Sequence, residues 1–169
     1  MHPATGLVYL ACSTLESRKF WNTYFLRFER PSTEDYVAIY DPKASTPAKQ
    51  VRRLKLQGLA DSRGLNVHGF HLVPSRKNPD KEAFVYLVNH RPQLEGSSDI
   101  LGADSVIELF RTTIGSDTLI HIKTFESDVL ITPNDISGSA DGDSFFFTND
   151  HGSKTDKVGE VILPSIDKH

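Results

Sequence analysis

Cysteine is nearly absent: Cys12 stands alone among 169 residues. Neither an intrachain disulfide nor a paired-thiolate zinc site can form from one thiol. A nucleophilic cysteine needs a nearby base, and the sequence around it names none. Cys12, at the end of the apolar run Leu7 to Ala11, therefore reads as a small buried hydrophobe. Long apolar runs are also missing. None approaches the ~18–20 residues a membrane-spanning helix requires, so no membrane span is expected. The opening Met1-His2-Pro3-Ala4-Thr5-Gly6 has neither the basic segment nor the apolar stretch of a signal peptide. That fits an intracellular protein, or a start lying inside a longer parent. A positive charge surplus is lacking too: Lys plus Arg is 19 against 22 Asp plus Glu, a net charge of −3. Phosphate backbones reward Lys and Arg, so nucleic acid is not an expected partner. Familiar catalytic and phosphate-binding signatures are missing as well: Gly-x-Ser-x-Gly, a phosphate-cradling glycine loop, His-Glu-x-x-His and a Cys-His zinc array.

What is present is a series of short apolar segments rich in β-branched and aromatic residues. Leu7–Ala11, Tyr36–Tyr40, Phe84–Val88, Val106–Phe110 and Leu119–Ile122 read as strands, with Val51–Leu56, Gly69–Val73 and Ser144–Thr148 as weaker ones. Turn chemistry separates them at Pro3–Gly6, Asn78-Pro79-Asp80, Gly115-Ser116-Asp117 and Ala140–Asp143. No stretch keeps apolar spacing of i, i+3, i+4, i+7 long enough to argue a helix. The expected class is all-β. Four consecutive patterns, at 69–73, 83–89, 105–111 and 118–124, predict a four-stranded antiparallel unit, with the next unit opening at 126–151. Repetition of such units is the mark of a β-propeller, although a β-sandwich also produces short, evenly spaced strands. Gly6–Cys12, Ala83–Asn89 and Ser144–Asn149 resemble one another, which favours repetition. Residues 13–35 read as a long surface loop with aromatics packed on a neighbouring unit, or as a lid. The tail 152–169 is polar and expected to fray.

The chemistry-bearing residues cluster at strand ends: Asn66-Val67-His68-Gly69, Val88-Asn89-His90, Thr132-Pro133-Asn134-Asp135 and Thr148-Asn149-Asp150-His151. Asn and Asp supply hard oxygen ligands suited to Ca²⁺, and a histidine nearby can serve as a base on water. Each pair alone is equally ordinary turn and cap chemistry. Asp141-Gly142-Asp143 lacks the flanking acids of an EF-hand loop and fits a hairpin turn.

Taken in order, Pro3-x-x-Gly6-Leu7-Val8-Tyr9-Leu10, Val67-His68-Gly69, Tyr86–His90, Ile107–Phe110, Leu119–Thr124, Pro133–Ile136 and Thr148–His151 resemble the serum paraoxonase/arylesterase family from about residue 3 to 154. The resemblance implies a six-bladed β-propeller that hydrolyses lactones, aryl esters and some phosphotriesters with two calcium ions in its channel. It assigns His68 as the base that activates water and His90 as its partner. It makes Asn134 a ligand of the catalytic calcium, Asp135 and the Phe70 carbonyl ligands of the structural calcium, and His151 a supporting residue. The family's Glu-Asp ligand pair would fall before Met1, and its remaining ligands beyond His151. The expectation is therefore a partial propeller over 1–154, roughly half of the blades, followed by a divergent tail at 155–169. Such a chain would be a truncated product, or would self-associate to cover exposed sheet faces. Its calcium affinity is expected to be weak, on the order of millimolar, with little hydrolysis of an aryl acetate. Family members are often secreted or membrane-anchored. The other reading is a non-catalytic fragment acting as an interaction or structural module.

Overall fold

The computed structural model describes residues 1–31 and 34–155, together with the backbone of 161–162. The chain is all-β, with three short helices among the described residues. Strand β1 (Val8–Cys12) pairs antiparallel with β4 (Tyr36–Tyr40), and β4 with β5 (Val51–Arg53), to make the first sheet. Between β1 and β4 the chain forms helix α1 (Leu15–Phe20) and a small hairpin of β2 (Trp21–Asn22) and β3 (Arg27–Phe28). Helix α2 (Pro47–Gln50) precedes β5, and β6 (Lys55–Gln57) follows it.

The central sheet is the expected four-strand unit. Strands β7 (Val67–Pro74), β8 (Glu82–Arg91), β9 (Asp104–Thr113) and β10 (Thr118–Phe125) run as an antiparallel meander. Only the four-residue helix α3 (Ser98–Leu101) interrupts it, and β6 adds in parallel beside β10. A third sheet holds β11 (Pro133–Gly138), β12 (Phe145–Asn149) and β13 (Val161–Ile162). No sheet among the described residues closes on itself.

The near-continuous apolar run in β8 follows from burial on both faces. Side chains alternate along a strand. Val85 and Leu87 join Tyr9, Val37, Ile39, Phe110 and Leu119 in the core toward the first sheet. Tyr86 and Val88 join Ile107, Leu109, Ile136, Phe145 and Phe147 in the core toward the third. Three sheets thus stack, with β8 and β9 of the central one buried on both faces. Close backbone approach fixes the second interface: a Cβ on Gly138 would overlap the Tyr86 ring.

Several expectations change. The run 51–56 is broken at Leu54, whose N–H donates to the Val37 carbonyl, so β5 and β6 serve different sheets. Residues 13–35 are not one long loop. Thr14 caps α1 by accepting the Ser17 N–H at 3.0 Å, and Arg18 and Lys19 sit in the last turn, where cations oppose the helix dipole. Trp21 and Phe28 then pack edge to face at 5.3 Å and are buried with Ala103. The Trp21 indole N–H donates to the His90 carbonyl at 2.8 Å, tying this segment to the end of β8. Cys12 is half-buried rather than buried, and desolvation pushes its thiol pKa up, which disfavours the reactive thiolate. Asp141-Gly142-Asp143 does form the β11–β12 turn, with Gly142 at φ +81°. Apart from the backbone of 161–162, which pairs with β12, the tail from 156 lies outside the described residues.

Candidate functional site

His68 and His90 meet at one end of the central sheet. Val67 pairs with Asn89 and Phe70 with Leu87, so β7 carries one extra residue between them. That bulge re-aims its side chains. It sets His68 Nδ1 3.0 Å from His90 Nε2, with the rings 5.2 Å apart and inclined by 65°. On its far side, His90 Nδ1 lies 2.9 Å from Ser105 Oγ at the start of β9, and Thr23 Oγ1 is 3.3 Å from His90 Nε2. His90 is buried and His68 half-buried. Among the described residues His68 Nε2 has no hydrogen-bond partner.

Burial pushes the His68 pKa down to about 4, with Arg18 adding to the effect and Asp135 opposing it. Burial, then His68 and Arg18, push His90 well below the usual histidine range. Both rings are therefore neutral at pH 7. Two proton arrangements satisfy the chain of contacts. In one, Ser105 donates to His90, His90 to His68, and His68 Nε2 bears the proton. In the other every donor is reversed, and His68 Nε2 presents a lone pair.

A shell of hydrogen bonds holds the bulge. Buried Asp35 accepts from Val67 N–H at 3.0 Å, Ser13 O–H at 3.1 Å and Thr14 N–H at 3.4 Å, and the Val67 carbonyl accepts from Arg18 Nη2 at 3.2 Å. Asn89 Oδ1 accepts Asn66 N–H at 2.9 Å, while its Nδ2 contacts the Gly64 carbonyl and Glu108 Oε1, each at 3.2 Å. His90 N–H returns to the Asn66 carbonyl. The third sheet repeats this latch. Asn149 Oδ1 accepts Thr132 N–H at 2.9 Å, its Nδ2 donates to the Val129 carbonyl at 3.0 Å, and Asp150 N–H returns to the Thr132 carbonyl. Asn89 and Asn149 are therefore structural in their contacts.

Asn134 and Asp135, on β11, reach the same end of the stack. A Cβ on Gly69 would come within 2.9 Å of Asp135 Cα and closer still to the Asn134 carbonyl. Asn134 is half-buried and Asp135 exposed, with Asp135 Oδ1 accepting the Ile136 N–H at 2.8 Å. Phe70 follows the bulge, half-buried against the first core. His151 stands apart from the imidazole pair. Its Nε2 is 3.3 Å from the Tyr24 carbonyl, its ring lies 5.7 Å from that of Tyr24, and its N–H donates to Thr132 Oγ1. Calcium takes ~6–8 oxygens. The Asn134 carboxamide, the Asp135 carboxylate and the Phe70 carbonyl fall well short of that number. Among the described residues no group of three or more His, Cys, Asp or Glu could hold a metal. The donors brought together among the described residues do not by themselves fit a calcium ion.

No sequence pattern marks Arg18, Thr23, Asp35 or Ser105 as site residues. Arg18, Thr23 and Asp35 fall in the segment 13–35, whose sequence lacks strand alternation, and no spacing ties Ser105 to a histidine fifteen residues before it.

Comparison with known proteins bears on this arrangement. The chain is 31% identical over 102 residues to serum paraoxonase/arylesterase 2 of Gallus gallus, covering 59% of this chain and 26% of that protein. It is 29% identical over 121 residues to serum paraoxonase/lactonase 3 of Mus musculus, covering 72% of this chain and 30% of that protein. The chain thus spans less than a third of the length of these curated relatives. Residues 25–164, most of the chain and including His68, His90 and Ser105, match the family described as Arylesterase. The chain belongs to the arylesterase family.

Proposed function

We propose that this chain carries the water-activating part of a hydrolase for small carboxylic esters or lactones. The observation behind the proposal is the imidazole pair: His68 Nδ1 against His90 Nε2 at 3.0 Å, with His68 Nε2 left without a protein partner among the described residues. In the step we propose, water at His68 Nε2 attacks the ester carbonyl carbon and a C–O bond forms. The water proton goes to Nε2, leaving a transient imidazolium on His68 whose Nδ1–H donates to His90 Nε2, while Ser105 Oγ accepts from the His90 Nδ1–H and keeps its own proton. The tetrahedral intermediate then expels the alkoxide or phenolate, which takes the proton back from His68 Nε2. Half-buried His68, rather than buried His90, carries the transient positive charge, which limits the desolvation cost. The ligands assigned by resemblance, Asn134, Asp135 and Phe70, are too few to route a step through calcium. The β-propeller belongs to the same proposal. It is supported by three stacked sheets, by the four-strand meander, and by an asparagine latch repeated in two successive sheets.

The shortage of calcium donors favours a second reading: a non-catalytic module whose exposed β12 face, with Phe146 64% exposed, packs against another copy or another part of a larger assembly. Phenyl acetate hydrolysis separates the two. The first reading expects slow turnover above the buffer rate that His68→Gln abolishes while far-ultraviolet circular dichroism stays unchanged. No turnover above buffer, or a rate indifferent to His68→Gln, leaves only the module.

A further inference from the structure

Arg18 is an exposed residue of α1, and its guanidinium makes one hydrogen bond, from Nη2 to the Val67 carbonyl. Arg30, Arg52, Arg63, Arg76 and Arg91 each sit on a carboxylate. Arg18, like Arg27, Arg53 and Arg111, has no carboxylate partner among the described residues, but of these four it alone lines the cavity beside His90, and its remaining N–H donors have no partner among the described residues. The Val67 carbonyl it holds belongs to the residue just before His68. Ser17, Arg18, Trp21, Thr23, Asp35 and His90 line one small cavity at this point. The charge reaches both imidazoles, where it adds to burial in keeping them neutral. The helix carrying it is fixed at both ends, by the Thr14 cap and by the buried Trp21. A positioned guanidinium with several free donors is a ready partner for a carboxylate, which it can meet through two parallel hydrogen bonds.

We propose that Arg18 is the anion-recognition residue of this site and that the site selects ligands bearing a carboxylate. As a statement about substrate it rests on the hydrolase reading of His68 and His90, and it names the class as esters or lactones carrying a free carboxylate. As a statement about binding it stands without turnover. Thr23, which touches His90, leads directly into half-exposed Tyr24 and Phe25, whose rings meet edge to face at 5.0 Å. They offer apolar surface for the body of such a ligand.

The test uses the full chain with benzoate as probe and benzamide as its uncharged counterpart, following the ring C–H resonances of His68 and His90 by NMR. Benzoate should shift both signals saturably and benzamide should not. Arg18→Gln should weaken benzoate binding about tenfold or more, and Arg18→Lys should restore part of it. Arg76→Gln, on the solvent-exposed Arg76–Asp141 pair, should leave it unchanged. Added salt should weaken the wild-type interaction and barely affect Arg18→Gln. In turnover, kcat/KM for 4-acetoxybenzoate relative to phenyl acetate should drop about tenfold in Arg18→Gln. Equal benzoate affinity in wild type and Arg18→Gln, or equal binding of benzoate and benzamide, would overturn the assignment. Carboxylate binding without His68-dependent hydrolysis would instead uphold it and sink the hydrolase reading.

Discussion

Gly69→Ala tests the contact that brings the third sheet to the histidine pair. A methyl at this position would stand 2.9 Å from Asp135 Cα, 2.9 Å from Val88 Cγ2 and nearer still to the Asn134 carbonyl oxygen. Nonbonded carbon atoms settle at ~3.5–4.0 Å, so the β7–β11 gap must open by more than half an ångström. Two of the three obstructing atoms are backbone and cannot rotate aside. Overpacking of this kind costs ~1–3 kcal/mol, and three simultaneous contacts put it near the top of that range. The φ of Gly69 lies outside the left-handed region, so alanine recovers ~0.4–1 kcal/mol by restricting the unfolded chain. The net loss is about 2 kcal/mol. With a urea m-value of ~1–3 kcal/mol per molar, the unfolding midpoint should fall by roughly 1 M at unchanged m. Because Gly69 lies in the bulge that sets His68 against His90, any hydrolysis should fall further than the folded fraction does. A midpoint within about 0.3 M of wild type, measured by circular dichroism, would show that β11 does not press on the bulge and would refute the reasoning.

Three further outcomes follow from the same contacts. Hydrogen bonds from Arg63 hold the Asp61 pKa at about 2, below its ordinary 3.8, in a cluster where Arg91 also binds Asp61, Asp104 and Glu126. A depressed carboxylate stabilises the fold above pH ~4 and loses that contribution as pH falls through 2. After discounting for partial exposure, Asp61→Asn should cost ~1–2 kcal/mol at pH 7 and flatten acid unfolding between pH 4 and 2. An acid limb identical to wild type would contradict this. Asn89→Ala and Asn149→Ala each remove two backbone partners from a buried latch and should destabilise by a similar ~2–4 kcal/mol in denaturant titration. Values differing several-fold would undo the equivalence of the two sheets. Ser105→Ala deprives His90 Nδ1 of its partner and should lower hydrolysis ~10–100-fold with little change in KM, alongside altered imidazole ¹⁵N shifts at His90 and His68. Unchanged ¹⁵N shifts would show that Ser105 does not orient His90.

The strands were legible wherever a segment alternates between two apolar faces or is buried on both, as in β1, β4, β8 and β9. Strand β11 was not. Its Pro-Asn-Asp-Ile-Ser-Gly sequence is made almost entirely of residues depleted in sheets. It is an edge strand, where the missing N–H of Pro133 is tolerated, and its stability comes from close packing on β7 and β8. Helix α1 escaped notice because six residues show no periodicity; a side-chain cap and a buried tryptophan hold it instead. The resemblance singled out His68 and His90, and their contact depends on a bulge that no composition announces. Arg18, Asp35 and Ser105 carried no signal at all. An Asp that accepts from one backbone amide 32 positions away looks, in sequence, like any Asp before a strand.

The repeated latch explains how sheets of this chain can carry different chemistry on one frame. In the central sheet the asparagine closing the latch is followed by His90, whose N–H bonds the Asn66 carbonyl; in the third sheet it is followed by Asp150, whose N–H bonds the Thr132 carbonyl in the same way. The backbone around each asparagine is satisfied by the asparagine itself, so the residue after it carries no packing duty fixed by the latch. Histidine occupies that slot where Ser105 and Thr23 can hold both its ring nitrogens, and aspartate occupies it where β11 and β12 meet. Structural demand and chemical freedom are thus separated by a single residue along each strand. That separation distinguishes the two residues of the strand-end dipeptides Asn89-His90 and Asn149-Asp150: in each, the asparagine side chain closes the latch, and the latch takes only the backbone N–H of the residue after it.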